Sequence, residues 1–198
     1  MTVVRNFLPK ASEGARKVLV HRAVRAGEVI RLKPGLFLLR PDYRKTEPHP
    51  YVVAALLHAP SHISLETALA YHGLIPEAVF QVASVTAARS RTFNTPIGRF
   101  TFQRVPARDP RAGVQIVRLG LGGWAFIASP LRAIADIVCL RPSIQWARDG
   151  CGFLTESLRI ESEDLAGIDF SLCDEIQASL QGRRVCEYLE GLRKELAR

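Results

Sequence analysis

Between residues 80 and 128 the chain holds five short β-rich runs: "FQVASVT" (80–86), "RTFN" (91–94), "RFTFQRV" (99–105), "VQIVRL" (114–119) and "WAFIA" (124–128). Turn-forming stretches separate them, "TPIG" at 95–98 and "GLGG" at 120–123. Strands this short cannot satisfy their backbone alone and must pair in a sheet. Their close spacing leaves no room for crossover helices between most of them, which predicts an antiparallel meander. Helical patterns lie before and after this region rather than alternating with it, so the expected class is α+β.

The clearest helix is "SPLRAIADIVCL" (129–140), with Ser129 as N-cap and Pro130 at the first helical position. Leu131, Ile134, Ala135 and Val138 form its expected buried stripe. Beyond Pro142, "LCDEIQASL" and "RRVCEYLEGLRKELA" both have helical spacing and divide near Gly182. Upstream, "YVVAALLHA" reads as a short apolar helix stopped by Pro60. Ser64 then caps a second helix, Leu65 to His72, which Gly73 ends. At 47% hydrophobic residues the chain can bury a true core. No apolar run approaches the length of a transmembrane helix, and the first residues, "MTVVRNFLPKAS", hold none long enough for a signal peptide. The four cysteines (Cys139, Cys151, Cys173, Cys186) are scattered without a C-x-x-C pair. They read as reduced thiols, and the chain as cytoplasmic, with no membrane partner.

Charge is unevenly placed. Residues 1–50 hold 11 Lys/Arg against 4 Asp/Glu, whereas residues 151–198 hold 6 against 10. A basic head favours a polyanion. Within it, "SEGARKVLVHRAVRAG" (12–27) reads as a helix capped by Ser12 and stopped by Gly27, with Ala15, Val18, Leu19, Ala23 and Val24 at helical spacing. "EVIRLKPGLFLL" (28–39) follows as a hairpin turned at Pro34-Gly35. A basic helix followed at once by a basic hairpin is the order of a winged helix, whose helix enters the major groove while the wing follows the backbone. On that reading Arg16, Lys17, His21, Arg22 and Arg25 contact double-stranded DNA from the helix, and Arg31 and Lys33 from the wing. Only 11 residues precede Ser12, and Pro9 interrupts them, so the head is expected to be a truncated winged helix. The proline-rich "PDYRKTEPHP" (41–50) reads as a linker, dividing a DNA-binding segment (1–45) from a sheet-and-helix body (46–198) with a helical C-terminus.

The stretch "HISLETALAYHGL" (62–74) suggests a metal site, because His58, His62 and Glu66 are four residues apart. Pro60 breaks any common helix, and Glu66 and His72 lie about 240° apart at about 100° per residue. The zinc pattern H-E-x-x-H is absent. "GLGG" lacks the ending of a phosphate loop, and Asp136 has no carboxylate neighbour in sequence. The arginines and phenylalanines of residues 88–104 alternate as an amphipathic hairpin does. No catalytic, metal-ligating or cofactor-binding residue is assigned. A metal-dependent nuclease using Asp136 remains a rival to a non-enzymatic binding protein.

Taken together, "HISLETALAYHGLIPEAV", "SVTAARSRTFNTPIGRFTFQRV" and "SPLRAIADIVCL" resemble the AbiEi family of bacterial type IV antitoxins over about residues 12–140. Ser129 stands where that family usually has Thr. The resemblance implies an N-terminal winged helix that binds inverted operator repeats and represses its own operon. It implies a C-terminal domain that counters a nucleotidyltransferase-like toxin without needing to touch it. A pure interaction protein that has lost DNA binding is the alternative.

Overall fold

The computed structural model describes residues 10–76, 81–120 and 123–197, and the architecture is α+β. Pro9, Glu77, Phe80 and the Leu121-Gly122 pair of "GLGG" lie outside the described residues.

Helix α1 (Glu13–Arg25) opens at Ser12, whose Oγ accepts the Ala15 N–H at 3.2 Å. Its chain leaves through Gly27 at φ +72, a backbone state that costs glycine little. Strands β1 (Val29–Lys33) and β2 (Leu36–Leu39) then pair antiparallel around Pro34-Gly35, with Gly35 at φ +81. That is the turn chemistry expected from Pro followed by Gly. A register shift between Arg31 and Lys33 marks a bulge in β1. The hairpin is tied to the rest of the protein: Leu32 is buried in the common core, and β1 lies against β5 (Arg91–Thr95).

The body is built on a six-stranded sheet of β3 (Ser61–Ile63), β4 (Gln81–Thr86), β5, β6 (Gly98–Arg104), β7 (Val114–Leu119) and β8 (Gly123–Ala128). Their order is β5-β6-β4-β3-β8-β7. The expected meander is corrected here, because β4/β6 and β3/β8 are parallel pairs. The β5–β6 hairpin folds so that its second strand, not its first, lies beside β4, and β6 therefore runs with β4. Strand β3 was not legible in the sequence. Three residues, "SHI", are too few for a period-2 pattern, yet they occupy the centre of the sheet between β4 and β8. Along β6, Phe100 and Phe102 are buried while Arg99 and Gln103 are exposed, so the alternation holds from Arg99 to Gln103.

Helices α2 (Pro50–Leu57), α3 (Leu65–Tyr71) and α4 (Pro130–Leu140) pack against this sheet. The remaining helical elements among the described residues are a 3-10 turn at Pro41–Tyr43, α5 (Trp146–Asp149), a turn of π-helix at Phe153–Ser157, α6 (Ser162–Ala166), α7 (Cys173–Leu180) and α8 (Arg183–Leu196). Helix α4 is the centre of the core. It meets β8, α3, α7 and α8, so every residue from Leu131 to Val138 is buried rather than a single stripe. Ser129 Oγ caps it by accepting the Arg132 N–H.

The other end of α4 is closed from a distance. The Arg184 guanidinium donates to the carbonyls of Val138, Cys139, Arg141 and Ile144. A cation at a helix C-terminus satisfies orphan carbonyls and complements the helix dipole. Arg184→Ala is therefore expected to cost about 1–2 kcal/mol, read from the denaturant midpoint, with Arg184→Lys recovering only part because an ammonium cannot span the four acceptors.

Candidate functional site

The residues expected to contact DNA divide once folded. Helix α1 has no buried residue, and Arg16, Val20 and Ala23 are its partly buried positions in the second and third turns. At about 100° per residue these three share one side. Lys17, His21, Arg22 and Arg25 are all exposed on the opposite arc of about 140°. Arg31 is exposed on β1. Lys17 shares its charge with Glu13 at 2.8 Å, a pair open to solvent at both ends.

Lys33 has different work. Its Nζ donates to the carbonyls of Leu56 and Leu57 at 3.0 and 2.6 Å, closing the C-terminus of α2. The hairpin's lysine thus clamps it to the body. Nothing in the sequence signals this, because the two partners lie 23 and 24 residues apart. The expected apolar set of α1 stays largely in the open, with Val18 and Leu19 each 50% exposed and Val24 39% exposed.

A second constellation surrounds Asp136, which is completely buried. Arg132 Nε donates to Oδ1 at 3.0 Å, and Ser64 Oγ donates to Oδ2 at 2.7 Å. His62 Nε2 donates to Oδ2 at 3.3 Å. Arg132 also reaches the Ala112 carbonyl at 2.6 Å. Burial is the largest influence on Asp136 and alone would raise its pKa. The hydrogen bond from His62, the charges of Arg132 and His62, and the Ser64 hydrogen bond together outweigh it and hold the carboxyl below its ordinary range. Both carboxylate oxygens are thereby taken by protein donors.

Backbone geometry makes this possible. Ser64 sits at the N-cap position of α3, but its hydroxyl is turned to Asp136 instead of to its own helix. The next residue, Leu65, takes φ +57 with its side chain buried, a left-handed state that costs a side-chain-bearing residue about 1–2 kcal/mol. Only Ser64's carbonyl keeps its capping role, accepting the Ala68 N–H.

The histidine stretch therefore does not gather as the four-residue spacing suggested. His58 Nε2 bonds the Arg89 carbonyl at 3.1 Å, and Glu66 pairs with Arg141. His72 Nε2 bonds the Ala128 carbonyl at 2.9 Å. Among the described residues, no group of three or more His, Cys, Asp or Glu is placed to hold a metal ion. All four cysteines are free thiols, and burial pushes each of them up from its ordinary value, which disfavours a reactive thiolate.

His62 has a second neighbour. It lies in the wall of a cleft of about 390 Å³ whose other walls include Ala55, Pro60, Val85, Val114 and Phe126. The Arg111 guanidinium sits 5.1 Å above the Phe126 ring at this cleft, and Asp109 Oδ1 accepts the Arg111 backbone N–H. No helix among the described residues is long and apolar enough to cross a membrane. No protein-family model matches the chain, and no curated protein is significantly similar to it.

Proposed function

We propose that the protein is a non-enzymatic, DNA-binding regulator of the antitoxin type, reading operator DNA through the outer face of α1 with support from β1. The observation that carries this reading is the exposed arc of Lys17, His21, Arg22 and Arg25, opposite the partly buried Arg16, Val20 and Ala23. A helix followed at once by a hairpin, with its basic side open to solvent, has the disposition a winged helix needs. The net charge of +8 strengthens attraction to a polyanion. The antitoxin part rests on the AbiEi resemblance, and its functional partner would be a nucleotidyltransferase-like toxin.

The test is retardation of the DNA upstream of its own gene at two salt concentrations. Replacing Arg22 and Arg25 with alanine is expected to weaken binding and reduce the slope of log affinity against log salt by about 2. Lys33→Ala is expected to lower stability while leaving that slope unchanged, because its ammonium is committed to α2. Absence of retardation at low salt sinks the DNA-binding reading.

A second reading, an interaction protein without DNA binding, is favoured by the open Val18 and Leu19 within the same helix. It expects no retardation at low salt, and loss of toxin neutralisation on co-expression when Leu19 is replaced by Glu. The nuclease rival gains nothing from Asp136, whose oxygens face Arg132, Ser64 and His62 inside the core.

A further inference from the structure

The cleft beside His62 is independent of the basic helix and is not explained by DNA binding. Its volume of about 390 Å³ lies within the range of small-molecule sites. The walls are mainly apolar: Ala55, Pro60, Val85, Val114 and Phe126. The charged groups at it, Asp109 and Arg111, are of opposite sign, and Arg111 is already stacked on Phe126. A ligand carrying a full charge would therefore meet attraction and repulsion together, which favours a neutral one.

Two lining groups are both polar and deeply held, His62 and Thr86. His62 is only 6% exposed, and Asp136 fixes the ring by accepting from Nε2. At a pH where the imidazole is neutral, a ring that donates from Nε2 keeps a lone pair on Nδ1. Among the described residues Nδ1 makes no hydrogen bond. The cleft thus offers apolar surface and one deeply buried ring acceptor, with the half-buried Ser61 and the exposed Asp109 among its other polar groups. Thr86, also in the lining, donates its hydroxyl to the Pro60 carbonyl at 2.7 Å and is not free to act as a second donor.

We infer that this cleft binds a small neutral aromatic molecule with one N–H or O–H group, of the indole or phenol class, which donates to His62 Nδ1 while its ring packs against Phe126 and the aliphatic walls. Asp136 and Ser64 act as positioning residues: they hold the ring orientation and do not touch the ligand.

The experiment titrates the full chain with indole and, separately, with 1-methylindole, following backbone amide resonances by NMR. Indole is expected to shift Val85, Val114 and Phe126 saturably. Its N-methyl analogue, which lacks the donor, is expected to bind about tenfold more weakly, the factor carried by one buried hydrogen bond. Ala55→Phe fills the cleft without disturbing His62 or Asp136 and is expected to abolish the shifts while the remaining spectrum stays folded. The inference is overturned by equal affinity for both indoles, by absence of saturable shifts at millimolar indole, or by unchanged binding in a folded Ala55→Phe protein. None of these readouts depends on DNA.

Discussion

Asp136→Ala is expected to lower the unfolding free energy by about 3–5 kcal/mol, the largest effect of any single substitution proposed for this chain. The cost comes from what remains. Arg132 is also completely buried, and without Asp136 its cation has only the Ala112 carbonyl as a described partner. Ser64 and His62 lose the acceptor that orders them, at the point where Leu65 is already in a left-handed conformation. Urea denaturation monitored by circular dichroism measures the loss. Arg132→Met combined with Asp136→Leu is expected to recover much of it, because replacing a whole buried pair with apolar groups avoids the stranded charge. A cost below about 1 kcal/mol for Asp136→Ala would mean that the network does not hold the core.

The same carboxylate sets an acid limit on stability. Its pKa is lower in the folded protein than in the unfolded chain, so the folded state binds its proton less readily. By linkage, the stabilisation is present above the unfolded value of about 3.9 and is lost as pH falls through the lower folded value. Wild type is therefore expected to lose stability steeply below about pH 4, and Asp136→Asn, already weaker at neutrality, to lose less over that interval. Denaturant midpoints taken on both sides of the interval separate the two proteins.

Gly191→Ala is expected to destabilise by about 1–3 kcal/mol, opposite in sign to the usual gain from alanine inside a helix. Gly191 lies within α8, and an added Cβ would collide with the Trp146 indole. The ring occupies the slot that the missing side chain leaves. Trp146 is also held edge-on against Tyr188, with centroids 5.4 Å apart, and Tyr188 donates its hydroxyl to the Gly150 carbonyl at 3.0 Å. A displaced indole therefore disturbs the docking of α5 as well as α8. Tryptophan fluorescence shows whether the ring moves. An unchanged spectrum together with increased stability would show that the slot is not needed.

Much of the fold was legible because its signals are local. Ser12, Ser129, Pro130 and the Pro34-Gly35 turn each act within a few residues of their partners, and each does what its chemistry predicts. Alternation along β6 likewise depends only on neighbours, and Phe100 and Phe102 point inward as expected. Ser64 stands at the expected N-cap, but its hydroxyl departs from the capping role for the opposite reason. Its residue type is right for capping, but a carboxylate 72 residues away competes for the hydroxyl and wins.

The basic helix, its cap and the hairpin that follows are thus determined by sequence, as is the α+β class, because propensity and periodicity act over one or two turns of chain. The sheet order and the buried network were decided by tertiary structure. A three-residue strand at the centre of the sheet brings His62 and Ser64 to Asp136, more than 70 residues along the chain. Folding also separated charges that look alike in sequence: Arg22 and Arg25 face solvent, while Lys33 is spent on the carbonyls of α2. Such choices depend on which groups lose water together, and sequence spacing carries no record of that.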